Sequence, residues 1–173
     1  MNFLFKILLT FNATFWMIVV YGIKERWCIF GISSIIFSIL MICVPLILSL
    51  VSLALTCRFG KDTLTQCVEF SLADNDFLPV YLGYFFVSLS INDNMTMGFL
   101  YCIVYVFNFL SQTQYFNPIF LLFGYHYYHV WSAAGTKIFV IIKGKVIRNK
   151  EYLSLIEVVR LNDTTFIQKR KRK

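Results

Sequence analysis

Residues 27–55 read WCIFGISSIIFSILMICVPLILSLVSLAL, 29 positions without one Asp, Glu, Lys or Arg. A helix rises about 1.5 Å per residue and the hydrocarbon core of a bilayer is about 30 Å thick, so roughly 20 such residues suffice to cross it. A soluble protein of this size needs apolar stripes rather than an unbroken apolar stretch, and a buried core helix fits poorly. The stretch therefore reads as a transmembrane helix. Pro45 removes one backbone donor within it, which predicts tilt, a kink or an extension beyond the bilayer.

Working outward, residues 5–23 form a first apolar span, joined to 27–55 by Lys24, Glu25 and Arg26, a link short enough for an antiparallel hairpin. Lys6 ahead of an apolar run also fits a secretory signal, but the run carries Asn12 and Trp16, lacks a small-residue cleavage pattern and leads directly into another span. It reads as a retained helix. Residues 77–91 and 95–114 form a second hairpin about Asn92, Asp93 and Asn94. Each of their apolar runs is near 15 residues, roughly 22 Å of helix, short of the core to be crossed.

Between the hairpins, residues 56–76 turn polar, with Leu64, Val68 and Leu72 at four-residue spacing. This predicts a cytoplasmic loop with a short interfacial helix, and Asp74, Asn75 and Asp76 as capping acceptors ahead of Pro79. Beyond Pro118 the apolar stretches shorten and fill with Ile, Val, Phe, Tyr and Thr, at 119–130, 136–142 and 153–161. The expected fold is a polytopic α-helical membrane protein, with four transmembrane helices in residues 1–114 followed by a small basic β-rich domain in 115–173. Four or five strands are expected there; in size the domain resembles an SH3-like or OB-like barrel, with its topology open.

Composition agrees: of 173 residues 58% are apolar and 14% charged, and the mean hydropathy is +0.69, against roughly 25% charged in an ordinary soluble domain. The net charge of +7 is unevenly placed. Eleven Lys or Arg follow residue 130, against Glu151, Glu157 and Asp163. Lysine and arginine favour the cytoplasmic side, so four spans predict an inner (plasma) membrane protein with both termini inside. Lys169, Arg170, Lys171, Arg172 and Lys173 form a polybasic tail for anionic lipid or a partner.

Chemistry is sparse. His126 and His129 share an HxxH spacing, but on a strand positions three apart face opposite ways, and no acid or cysteine lies nearby in sequence to complete a metal site. The tyrosines around them suit an aromatic belt near headgroups. None of the five cysteines forms a CxxC pair, and there is no HExxH, GxSxG or P-loop pattern and no acid within a span. No enzymatic activity and no cofactor are expected. Asn12 and Asn108, each within a span, need hydrogen-bond partners in hydrocarbon and are expected to bond between helices or subunits. Gly31, Ser34 and Ser38 are spaced for close helix packing. Lys137, Lys143, Lys145 and Arg148 are candidates for docking an acidic partner surface or DNA held by it; a solvated or lipid-facing basic face is the plainer alternative.

The four-span plan is followed by NPIFLLFGYHYYHV at residues 117–130 and GTKIFVI at 135–141. In these stretches, and over nearly its whole length, the chain resembles KwaA, the membrane subunit of the two-gene Kiwa anti-phage defence system of bacteria. The resemblance implies a non-enzymatic homo-oligomer, a tetramer, linked to sensing infection at the envelope and working with a cytoplasmic DNA-binding partner, KwaB. Short external links are compatible with a response to the bilayer rather than to a bulky external ligand, and short third and fourth spans would respond to its thickness. A small oligomeric channel or transporter is the alternative from another class.

Overall fold

The computed structural model describes residues 3–28, 31–56, 61–63, 67–111, 117–132, 135–147, 158–161 and 164–168, with 61 and 62 described by their backbone alone. Arg148 and the tail Lys169 to Lys173 lie outside the described residues. The chain divides into two compact units that alternate along the sequence: Asn2–Ser52 with Phe77–Asn117, and Leu53–Asp76 with Pro118–Lys173.

The first unit is helical. It contains α1 (Phe3–Lys24), most of α2 (Ser34–Leu55), α3 (Leu78–Ser90) and α4 (Asn94–Ser111). α1, α2 and α4 are each long and apolar enough to cross a membrane, and α3 is a shorter apolar helix. At helical rise, α1 and α2 are about 33 Å long, α4 about 27 Å and α3 only about 20 Å. The fourth helix is thus longer than its apolar run predicted, while the third is shorter.

The second span does not begin at Trp27. Its helix starts at Ser34, after Arg26 (φ 49°) and Gly31 (φ 74°) have turned the chain in the left-handed region. The Phe37 N–H is accepted by the Ser33 carbonyl, so the start falls where the serines are. Absence of charge reports which residues tolerate lipid, not where a helix begins, and Gly and Ser set the boundary. Pro45 lies inside a continuous α2.

The close backbone approaches are of α1 with α3 and of α1 with α4, rather than within the two expected sequential hairpins. α1 accordingly buries Phe5, Leu9, Ala13, Met17, Val19 and Tyr21. Met17, Tyr21 and Met97 centre a core with Trp27, Tyr84, Leu100 and Tyr101 around it. At its C-terminus Lys24 donates to the Ile91 carbonyl and, at 2.6 Å, to Asn92 Oδ1, which ties α1 to the α3–α4 link.

The second unit is a six-stranded mixed sheet of order β1-β5-β6-β4-β3-β2, formed by β1 (Lys61–Asp62), β2 (Cys67–Leu72), β3 (Tyr125–Ser132), β4 (Lys137–Lys143), β5 (Val158–Arg160) and β6 (Thr165–Gln168). β4 and β6 run parallel and every other pair is antiparallel. Among the described residues it is an open sheet ending at β1 and β2 rather than a barrel; residues 115–173 supply four of its strands, within the four or five expected there.

Two of those strands come from residues 56–76, where an interfacial helix was expected. A spacing of four is also twice the strand period, so Val68 and Leu72 share a strand face as readily as a helix face, and Cys67 and Phe70 between and before them pack against the sheet core. The run 119–130 is likewise not one strand. Pro118–Leu122 forms α5, Gly124 (φ 72°) turns the chain, and β3 follows. Proline is readily accommodated in the first turn of a helix, which is where Pro118 stands.

One face of the sheet packs Tyr128, Val130, Ile138, Val140, Ile142, Val158 and Phe166 into a core with Ile147. On the opposite face Tyr127 stacks on Phe139, their ring centroids 5.6 Å apart, and Phe120 of α5 packs at 6.1 Å from Tyr125. Both faces of β3 and β4 are therefore covered, which explains the near-continuous apolar run of β4.

Candidate functional site

Three sets of polar side chains stand out against this apolar background. In the helical unit, Ser49 of α2 is a hydrogen-bond node. Its Oγ accepts from Asn12 Nδ2 of α1 and from Asn117 Nδ2, both at 2.8 Å, and donates to the Pro45 carbonyl at 2.7 Å. A hydroxyl has one proton and two lone pairs, and all three are used. Asn12, Ser49 and Asn117 are buried, so each bond replaces water that an apolar interior cannot supply. Asn12 Oδ1 and Trp16 Nε1 are buried without a partner among the described residues.

Asn108 belongs to a separate network. Its Nδ2 donates to Tyr84 Oη of α3 at 2.8 Å and to the Val104 carbonyl of its own helix at 2.9 Å. Thr14 of α1 and Tyr101 of α4 share a further bond of 3.3 Å, and Ser88 of α3 donates to the Met17 carbonyl of α1 at 3.0 Å. The helices are thus joined by a few polar contacts within apolar faces, the arrangement expected of helices packed in lipid. Ser49 was not singled out in the sequence; its place one helical turn beyond Pro45, whose carbonyl it caps, was the available signal.

The stripe Gly31, Ser34 and Ser38 faces a gap. A Cβ on Gly31 would meet nothing within 4 Å, and Ser34 and Ser38 line an open cavity with Ile23, Arg26 and Ile35. Ser38 Oγ donates to the Ser34 carbonyl at 2.8 Å.

In the sheet unit the two histidines meet carboxylates from a distant part of the chain. His126 Nδ1 lies 2.7 Å from Asp74 Oδ2, and His129 Nε2 lies 2.7 Å from Asp76 Oδ2. The other oxygen of Asp74 accepts the Tyr127 N–H at 2.7 Å, and the Ala73 N–H donates to the Tyr127 carbonyl at 2.8 Å. The turn 74–77 is thereby fastened to β3. This corrects the capping role given to Asp74 and Asp76: the N-cap of α3 is Phe77, with no side-chain cap bond and with Pro79 in the first turn. It also supplies the nearby acids that sequence distance concealed. The histidines do lie on opposite faces of β3, His129 among Trp131 and Phe139, and among the described residues no three potential metal ligands come together.

Of the basic candidates, Lys137 and Lys143 are the exposed ends of β4. Lys137 Nζ stands 5.2 Å from the Trp131 ring centroid and Lys143 Nζ 5.4 Å from that of Tyr125, each over its cross-strand neighbour. Six positions apart, they share a face about 20 Å from one another. Lys145 follows the Gly144 turn and is exposed. The structure brings these three to one strand and the bend after it, but not into one cluster.

Helices able to cross a membrane, joined by buried amide and hydroxyl contacts and alternating in sequence with a mixed sheet, define a helical membrane protein with an appended β-sheet unit. The family model of the anti-phage protein KwaA matches residues 5–167. The chain belongs to the KwaA family of anti-phage proteins, of the Kiwa system. No curated protein and no solved structure matches it.

Proposed function

We propose that this chain is the membrane anchor and sensor of an anti-phage defence complex, an oligomer that recruits and controls a cytoplasmic DNA-binding protein through its sheet unit. It acts without enzymatic activity or cofactor, in the bacterial inner membrane, with both termini in the cytoplasm; the basic excess after residue 130 favours that side. Family membership favours the defence role. A tetramer is the assembly that the resemblance implies.

The observation that carries the reading is the fastening of turn 74–77 to β3. That turn leads straight into α3, the helix of about 20 Å that is too short for an unperturbed bilayer. A change in bilayer thickness or tension that displaces α3 is delivered through Phe77 to two carboxylates bonded to the longest strand of the sheet. The partner's docking surface would include Lys137, Lys143 and Lys145, with Arg148.

The test is co-purification. Charge reversal at Lys137, Lys143, Lys145 and Arg148 together should leave the protein in the membrane and abolish recovery of a soluble DNA-binding partner. Undiminished recovery would remove the docking surface from the account.

A further inference from the structure

The cavity beside Arg26 has no part in the reading above. It measures about 370 Å³ and is lined by Ile23, Arg26, Ser34, Ile35 and Ser38. We propose that it is a binding site for an anionic phospholipid, with the phosphate on Arg26 and the acyl chains along α2.

Arg26 is held in place by the end of α1. The Trp27 N–H bonds to the Gly22 carbonyl at 3.0 Å and the Arg26 N–H to the Ile23 carbonyl at 3.2 Å. This is the double closure of a Schellman motif, in which the left-handed position normally falls to glycine. Here it is an arginine with φ 49°. Trp27 locks the motif by packing on Tyr21, at 5.7 Å between ring centroids, and against Gly22, where an added Cβ would come within 3.2 Å of its ring. A residue with a Cβ is strained in this conformation, so the sequence carries a cation where a glycine would be more stable.

The Arg26 side chain is also exposed. Glu25 lies 3.4 Å from Lys24, and among the described residues Arg26 has no ion pair. Arg26 thus stands without an ion pair at the end of a helix about 33 Å long that reaches the edge of the hydrocarbon core. That is the depth of a lipid phosphate. Ser38 has donated its proton to the Ser34 carbonyl, which leaves its oxygen able only to accept. Below the cavity, Ile35, Ile36 and Ile39 are 72%, 58% and 58% exposed, an aliphatic track for the chains. A guanidinium above a track of isoleucines matches a molecule that carries phosphate at one end and hydrocarbon at the other.

Thermal unfolding of the full chain in mild detergent, with added phosphatidylglycerol, phosphatidylcholine or inorganic phosphate, tests this. Phosphatidylglycerol should raise the midpoint and the other two should not. Arg26→Gly should fold at least as stably without lipid, because glycine relieves the strained conformation, yet bind phosphatidylglycerol at least tenfold more weakly. Ile35→Trp, which fills the cavity, should also reduce the lipid effect. Three results would overturn the site: an unchanged lipid response in Arg26→Gly, an equal response to inorganic phosphate, or an Ile35→Trp variant whose subunit number changes while its lipid response does not. The last would assign the groove to a second copy of the chain.

Discussion

Asp74 Oδ2 and His126 Nδ1 lie 2.7 Å apart although 52 residues separate them in the chain. Everything from α3 to α5 lies between them in sequence, including the whole second segment of the helical unit, Phe77–Asn117. The carboxylate is 16% exposed, whereas that of Asp76, which makes the parallel contact with His129, is 48% exposed. The two pairs look alike in sequence and distance but differ in what water can replace.

That difference gives the first prediction. Asp74→Ala removes the acceptor of the Tyr127 N–H as well as the histidine contact, and should cost about 1–3 kcal/mol. Asp76→Ala removes an exposed contact and should cost under about 1 kcal/mol. Denaturation midpoints of the two variants in the same detergent decide it; equal losses would mean that Asp74 does not fasten the turn.

Ser49 is the second. In Ser49→Ala two amide donors lose their acceptor inside an apolar interior, at about 1–3 kcal/mol. Asn12→Leu should cost less, because it also removes the unpartnered Oδ1. If Asn12→Leu and Asn108→Leu both leave detergent stability and oligomeric state unchanged, neither amide contributes to assembly.

Asp93 caps α4. Its Oδ2 accepts the Thr96 N–H at 2.8 Å and the Thr96 hydroxyl at 2.9 Å, and these bonds, the backbone one first, hold its carboxyl below the ordinary aspartate range. A carboxyl whose folded value is depressed stabilises the fold above its unfolded value and loses that contribution as pH falls through the folded value. The stability gap between the protein and Asp93→Asn should therefore be full near neutral pH and shrink at the acid side of that range. Parallel pH profiles for the two would contradict the cap.

Tyr128 Oη accepts the Ile147 N–H at 2.8 Å inside the sheet core. Tyr128→Phe keeps the ring and orphans that N–H, and should cost about 1–3 kcal/mol. Burial of the phenol pushes its value up. Ionisation would bury a charge, so the fold keeps its full stability below the ordinary tyrosine value and loses stability as pH rises through the folded one, whereas Tyr128→Phe shows no such loss from this site. Calorimetry from neutral to strongly alkaline pH checks both statements: a variant as stable as the parent at neutral pH would discount the bond.

How much of this was legible in the sequence follows from range. Uninterrupted apolar stretches are local facts, and they located helices at 5–23, within 27–55, and within 95–114. Where the second helix begins depended on Gly31 and the serines after it, a weaker signal inside a stronger one. The pattern at Leu64, Val68 and Leu72 was ambiguous because four is a multiple of two; pairing of Cys67–Leu72 with β3 decides for a strand at Val68 and Leu72, and Leu64 lies outside the described residues. Asp74 and His126 lie too far apart for any spacing rule to join them. The Asn12 and Asn108 amides stood out because hydrocarbon makes a lone amide conspicuous; Ser49, a common residue in helices, did not.

In the proposed topology the sheet unit lies on the cytoplasmic side of the membrane that the helices cross. A reporter fused after Lys173 measures this directly. A fluorescent protein at that position should light the cell envelope while alkaline phosphatase there stays inactive; active phosphatase would place the sheet outside and contradict both the topology and the docking of a cytoplasmic partner.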